Sequence, residues 1–302
     1  MPINGFSMEY ISVAEFAKKH GVQERTVRNY CAVGKIEGAR LVGKTWGIPC
    51  DAQLPARKNK RRKEMPLLLV LRREKEARLK GGIYHRTQID LTYNSNHIEG
   101  SRLTHEQTRF IFETNTIGVE GESLRVDDII ETTNHFRCID LLIDRAEEKL
   151  TEYFIKELHA VLKQGTTDSY KGWFAVGEYK RLPNEVGGNE TTSPADVGRE
   201  MKALLKEYNG IKQKTIEDII DLHQRFEAIH PFQDGNGRVG RLVMFKECLA
   251  CGFVPFIITD ELKMFYYRDL REWGRVRGYL LDTCLAAQDN YKALLDYFKI
   301  KY

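Results

Sequence analysis

What this sequence lacks narrows it first. None of its 302 positions begins a run of about 18 apolar residues, so no membrane-spanning helix is expected. The N-terminal segment contains Glu9 and shows no apolar core followed by a small-residue cleavage site, so no secretory signal is expected. Cysteine is sparse, and Cys31, Cys50, Cys138, Cys248, Cys251 and Cys284 are too scattered for a disulfide framework. The one C-x-x-C, Cys248 with Cys251, stands in an apolar helical stretch without the two further ligands of a zinc site. Buried thiols in a cytoplasmic chain are the expectation. Repeats and low-complexity tracts are absent. The formal net charge of +4 says little about partners, but its distribution is uneven: "RKNKRRK" at 57–63 concentrates positive charge. With 42% hydrophobic and 30% charged residues, the chain has the composition of a folded protein, long enough for one large domain or two.

Two regions differ in character. In 8–55, "SVAEFAKKHG" predicts a short helix capped by Ser12 and stopped by Gly21, with Val13, Phe16 and Ala17 on its apolar face. "VQERTVRNYCAVGKI" predicts a second helix, with Val27 and Tyr30 inward and Arg25 and Arg28 outward. "GARLVGKTWGIP" reads as a hairpin. Two short helices joined at a glycine and followed by a hairpin make a winged helix-turn-helix, with a small docking appendage as the alternative. Residues 56–66, bracketed by Pro55 and Pro66, read as a basic linker that solvates itself or neutralises phosphates. Over 67–302, helical periodicity recurs at about 67–80, 83–98, 104–115, 126–146, 151–163, 194–208, 215–229, 238–251, 260–273 and 276–298. The exception is 171–194, rich in glycine, proline and β-branched residues, a loop or hairpin long enough to suggest a function.

The densest chemistry is "HPFQDGNGRVGR", 230–241. Its "GNGRVG" formally matches a dinucleotide fingerprint, yet it joins helix to helix rather than strand to helix, and no G-K-[ST] follows. Gly235 and Gly237 permit a tight turn with exposed N–H groups, and a helix starting near Arg238 adds its positive end, which together suit an anion. Arg238 and Arg241, three apart, suit a polyphosphate. Asp234 makes sense as a hard ligand for Mg²⁺ bridging phosphates. His230, just before the loop, is placed to take a proton from a hydroxyl. The blander reading is an anion-binding loop with His230 as a helix-end cap.

The same stretch resembles the Fic motif, H-x-F-x-[DE]-G-N-G-R-x-x-R, with every fixed position present. The resemblance extends over about 83–298 and implies an all-α Fic-type core with a small β-hairpin flap. It implies transfer of AMP from ATP to a Ser, Thr or Tyr hydroxyl of a target protein, or of the chain itself. On that resemblance His230 is the base, Phe232 a core anchor, Asp234 the Mg²⁺ ligand, and Gly235, Asn236 and Gly237 the anion nest. Asn236 would lie near the α-phosphate, Arg238 at the β-phosphate and Arg241 at the γ-phosphate. Residues 177–190, around "YKRLPNEVGG", look like the flap that docks a target segment by strand addition. Separately, "VQERTVRNY" resembles the winged modules of excisionases and mercury-resistance regulators. This implies DNA contact through Arg25, Thr26, Arg28 and Asn29, with Lys44 and Trp46 on the wing. Homodimers are frequent in both families.

"SNHIEG", 95–100, places Ser95 and Glu99 on one helical face ended by Gly100. It resembles the Fic inhibitory motif [ST]-x-x-x-E-[GN], on a helix over 83–99. By that resemblance Glu99 pairs with Arg241 and denies it to the γ-phosphate, while Ser95 steadies Glu99 or the helix. The same glutamate would also suit a water that removes AMP, so a de-AMPylating phosphodiesterase stays open, as does a DNA-binding regulator whose core senses nucleotide. A metal hydrolase has too few ligands. Tyr266 and Tyr267 are candidates to stack on adenine, with core packing as the alternative. Glu227 is a candidate to orient His230. His97, His105 and His223 read as surface or packing residues.

Overall fold

In a computed structural model the described residues are 9–32, 34–43, 45–54, 66–118 and 123–302, without the Asn189 side chain. The basic run at 57–63 and Lys44 lie outside them. The chain divides into two compact units, Met1–Arg61 and Arg62–Tyr302.

The first unit runs β1 (Tyr10–Ser12), α1 (Val13–His20), α2 (Glu24–Ala32), β2 (Arg40–Val42) and β3 (Thr45–Pro49). Ser12 accepts the N–H of Glu15 while Glu15 reaches back to the Ser12 N–H, a reciprocal cap that fixes where α1 begins. Gly21, at φ 65°, ends it. The strands form an antiparallel sheet in the order β1-β3-β2. Tyr10–Ser12 is too short to be recognised by alternation, and is a strand because β3 pairs with it, Ile11 opposite Ile48. Phe16, Val27 and Ile48 are fully buried at the centre.

The second unit is helical, as its periodicity predicts. Its elements are α3 (Pro66–Glu76), α4 (Ile83–Ile98), α5 (His105–Thr114), α6 (Val126–Asp144), α7 (Glu152–Lys163), β4 (Glu185–Val186), β5 (Asn189–Glu190), α8 (Pro194–Gly210), α9 (Ile216–Ile229), α10 (Asn236–Cys251), α11 (Lys263–Glu272) and α12 (Arg277–Tyr297). At its middle lies α10, buried from Arg238 to Leu249 on every side, as expected of a helix that neighbours surround. It packs on α9, α6, α4 and α7. Its Lys246 and Glu247 are tolerated there because they pair at 2.7 Å and Tyr208 donates to Glu247 at 2.7 Å. Leu242, Cys248, Leu158 and Ile139 fill the surrounding core at 0% exposure, each large side chain contributing about 1.5–3 kcal/mol. None of the six cysteines is in a disulfide, and Cys248 is buried in this core.

Two boundaries differ from the periodic pattern. The stretch expected as one helix over 260–273 divides into a 3-10 turn at Asp260–Leu262 and α11. The flap expected over 177–190 is a hairpin only at 185–190, where Gly187 and Gly188 at φ 59° and 80° turn the chain. No helix among the described residues is long and apolar enough to cross a membrane.

Candidate active site

The site is assembled where α9 stops and α10 starts. His230 takes a left-handed backbone (φ 51°, ψ 61°), its N–H bonding to the Phe226 carbonyl at 2.9 Å. Pro231 has no N–H with which to continue the helix. Phe232 is fully buried and lies flat on His159, ring centroids 4.0 Å apart and 3° from parallel. Asn236 closes the loop: its side-chain oxygen accepts the Phe232 N–H and its amide donates to the Phe232 carbonyl, both at 2.8 Å. Asn236 is 1% exposed with both polar ends engaged. Its side chain therefore shapes the loop at the point where the resemblance puts the α-phosphate. Gly235, at φ 83°, is the left-handed residue from which α10 starts.

Both arginines of the motif are buried at 4% exposure, beneath the positive end of α10. Arg238 pairs with Glu131 and, at 3.2 Å, with Asp234. Burial pulls its pKa down, but these two carboxylates outweigh it and the net shift is upward. Arg241 donates from Nη2 to Glu99 at 2.7 Å and to the Ser95 carbonyl at 2.8 Å, and from Nε to the Ser95 hydroxyl at 3.1 Å. Ser95, expected to steady Glu99 or the helix, instead grips the arginine directly. Burial again works against the charge, yet Glu99 leaves Arg241 firmly protonated. Gly237 gives Glu99 its room: a Cβ there would stand 2.2 Å from the Glu99 carboxylate.

Asp234 accepts from Lys163 at 2.7 Å, and Lys163, 2% exposed, also holds Glu131 at 2.6 Å and Asp168 at 3.0 Å. Burial alone would raise the Asp234 pKa, but Arg238 and Lys163 hold it well below the usual carboxylate range. The Asp234 side chain is 49% exposed. No cluster of three or more His, Cys, Asp or Glu ligands occurs among the described residues. One open, hard carboxylate fits a Mg²⁺ ion that takes its other ligands from phosphates and water, and does not fit a structural metal site.

His230 is 18% exposed at the side chain. Its Nδ1 has no hydrogen-bond partner among the described residues and lies 4.0 Å from the Glu227 carboxyl. Burial lowers its pKa, favouring the neutral base. Burial raises that of Glu227 to about 8. His159 was not singled out in the sequence. Its Nδ1 accepts the Gly177 N–H at 2.9 Å, so Nε2 carries the proton and donates to the Asp234 carbonyl at 3.1 Å. Lys163, Glu131 and His159 are far from the motif along the chain, and no local pattern marks them.

Of the adenine candidates, Tyr266 is 1% exposed and hydrogen-bonds His223, leaving no open face. It is a core residue, because the polar surroundings of Arg241 and His223 give its hydroxyl a partner. Tyr267 is 37% exposed and donates to the Ile98 carbonyl at 3.2 Å, beside Glu99. His97 stacks on Tyr93 and His105 bonds Asp90 at 2.8 Å, as packing residues do.

Comparison with known proteins agrees with this geometry. Residues 149–248 match the Fic/DOC family. The chain is 31% identical over 188 residues to proteins from Drosophila melanogaster and Drosophila simulans named "Protein adenylyltransferase Fic". That match covers 59% of this chain and 36% of each relative, so the chain spans about a third of the curated relatives it matches. Among solved structures it resembles a Fic domain containing signaling protein from Bacteroides thetaiotaomicron, with a TM-score of 0.59 and 25% identity over 74% of this chain and 92% of that one. Fic-1 from C. elegans shares the fold, with a TM-score of 0.60 and 22% identity over 79% and 72% of the two chains. The stretch that matches the Fic/DOC family, residues 149–248, holds α7, the hairpin, α8, α9, the 230–235 loop and most of α10.

Proposed function

We propose that the chain transfers AMP from ATP to a Ser, Thr or Tyr hydroxyl of a protein, itself included, and that Glu99 restrains it. The observation that carries this reading is the pairing of two buried arginines under the start of α10 with an imidazole held at the loop's rim by a left-handed backbone. The activity named for the curated relatives supports AMP transfer over AMP removal or nucleotide sensing alone.

The chemistry follows from the residues. Arg238 and the N–H groups of the 235–237 turn orient a phosphate chain, and Arg241 takes its outer end once Glu99 lets go. A Mg²⁺ ion held by Asp234 would neutralise charge on the phosphates. His230 takes the proton of the incoming hydroxyl as its oxygen attacks the α-phosphorus and pyrophosphate departs. Tyr267 is the residue that would meet the adenine. The β4–β5 hairpin, with Glu185 and Val186 exposed, would line up an extended target segment by strand addition.

The test uses ATP labelled on the α-phosphate with the wild type, Glu99→Gly and Glu99→Gly/His230→Ala. Faint, strong and absent labelling of protein, in that order, is the expected result. A blank Glu99→Gly, repeated with cell lysate as target source, would refute the transferase.

For the first unit, binding of duplex DNA is the reading its helices support. Arg25, Arg28 and Asn29 lie exposed along α2, Arg28 held by Glu24 at 2.6 Å. Trp46 stands on β3 of the β2–β3 hairpin, partly buried against the unit's core. Replacing Arg25 and Arg28 by Ala is expected to weaken binding of a fluorescent duplex and reduce its salt slope by roughly one per lost phosphate contact. An unchanged slope would return this unit to a docking role.

A further inference from the structure

Lys180 sits between α7 and β4 and is 3% exposed. Its Nζ donates to the Asn184 side-chain oxygen at 2.7 Å, to the Thr191 hydroxyl at 2.6 Å and to the Ile229 carbonyl at 3.4 Å. Its backbone N–H donates to the Pro231 carbonyl at 2.8 Å. One residue therefore holds the carbonyls of the two residues on either side of His230, Ile229 and Pro231. Asn184 and Thr191 bracket the hairpin, one preceding β4 and the other following β5. They are joined to each other, Thr191 donating to the Asn184 carbonyl at 2.9 Å, and Asn184 donates onward to the Phe232 carbonyl at 3.0 Å.

None of the three Nζ acceptors is a carboxylate. A buried ammonium held only by neutral oxygens is an expensive way to make three hydrogen bonds, and burial pulls its pKa down to about 8. A polar neutral side chain would tie the same oxygens at lower cost, so the charge itself calls for a use. His230 is that use. The groups facing it are Glu227 from α9, Glu99 at the end of α4, Asp234 from the loop and Lys180, and Lys180 is the cation among them.

We propose that Lys180 is a positioning residue: it fastens both ends of the hairpin to the two residues flanking His230, so that seating a target segment and placing the imidazole are one event. This rests on the transferase reading and on the hairpin as the target's dock. It assigns a role to a residue outside the 230–241 motif.

The test compares Lys180→Met with Lys180→Arg in the full chain. In protein carrying ¹³C-labelled histidine, the His230 signal, assigned through His230→Ala, is titrated without turnover. Its midpoint is expected to rise in Lys180→Met, which removes the neighbouring positive charge, and to stay in place in Lys180→Arg. In the Glu99→Gly background, Lys180→Met is expected to slow label transfer about tenfold or more while the KM for ATP stays within about twofold, and Lys180→Arg to restore the rate. If Lys180→Met does not fold, Thr191→Val, which removes one of the three acceptors, is expected to slow transfer in the same pattern. An unmoved His230 midpoint, or a rise in the KM for ATP that matches the loss of rate, overturns the proposal. If Glu99→Gly itself labels nothing, the transferase reading fails, and the His230 midpoint still decides the role of Lys180.

Discussion

Replacing Glu99 by Ala tests the restraint as a free energy. The pair it breaks is Arg241 Nη2 to Glu99 at 2.7 Å, with the arginine 4% and the glutamate 29% exposed at the side chain. A hydrogen bond between charged groups contributes about 1.5–3 kcal/mol, and partial exposure keeps this one below the 3–5 kcal/mol of a fully buried pair, so about 2 kcal/mol is expected. Arg241 keeps its two bonds to Ser95, so the fold survives. For a unit the size of Arg62–Tyr302, the loss corresponds to a fall in Tm of roughly 4–8 °C. The same 2 kcal/mol no longer opposes the outer phosphate of ATP, so Mg-ATP should bind up to roughly 30-fold more tightly. Thermal unfolding with and without Mg-ATP, together with calorimetric titration, reads both quantities. Lower Tm without nucleotide and recovered Tm with it would be the signature. A variant that melts like the wild type, or that loses stability without gaining ATP affinity, would refute the restraint as drawn here.

Two other outcomes follow from the same geometry. Burial holds the His230 pKa below the ordinary value of 6.5, so the imidazole is the neutral base throughout the range above it. The transfer rate of Glu99→Ala should be flat near pH 7 and fall only on acidification past that value, and a pH–rate profile with its acid limb centred above 6.5 would contradict this. Gly240→Ala would place a Cβ 2.7 Å from the Glu227 carboxyl and from the His223 ring. Overpacking of this kind costs about 1–3 kcal/mol, and it should lower Tm and slow transfer through displacement of Glu227 beside His230; a Tm within a degree or so of the parent would count against that packing.

Much of the helical unit was legible because its helices are long and strongly periodic. The ends of α4, α9 and α12 lie within about two residues of where the pattern places them. The motif at 230–241 was legible because its residues are local and each carries a chemical need. Failures came where tertiary contacts decide. The resemblance puts Asn236 near a phosphate, and no local pattern marks that its amide also matches the Phe232 peptide in size and polarity and closes on it. Tyr266 and Tyr267 are neighbours in sequence, yet helical geometry sends one into the core and the other toward solvent. Lys163 and Lys180 reach the loop from 71 and 49 residues away. Nothing in "VLKQG" or "EYKRL" announces that a lysine there will meet a buried carboxylate or a backbone carbonyl.

The burial of α4 has a consequence for how fast the proposed restraint by Glu99 would respond. Ile83, Ile89, Leu91 and Ile98 lie in the core, and its polar face is bonded too: Thr87 to Tyr291 at 2.7 Å, Thr92 to His135 at 2.9 Å, Asn96 to Thr132 at 3.2 Å. Lifting this helix away would expose core and strand those polar groups. Glu99, however, is its C-terminal cap and faces partly outward, so its carboxylate can swing off Arg241 by a change of rotamer alone. Rotamer changes take picoseconds to nanoseconds, against microseconds to milliseconds for moving a helix. A catch of this kind would be at equilibrium on every encounter with nucleotide. Its setting would then follow the ratio of phosphate to carboxylate affinity for one guanidinium, continuously, rather than waiting on a rare opening of the fold.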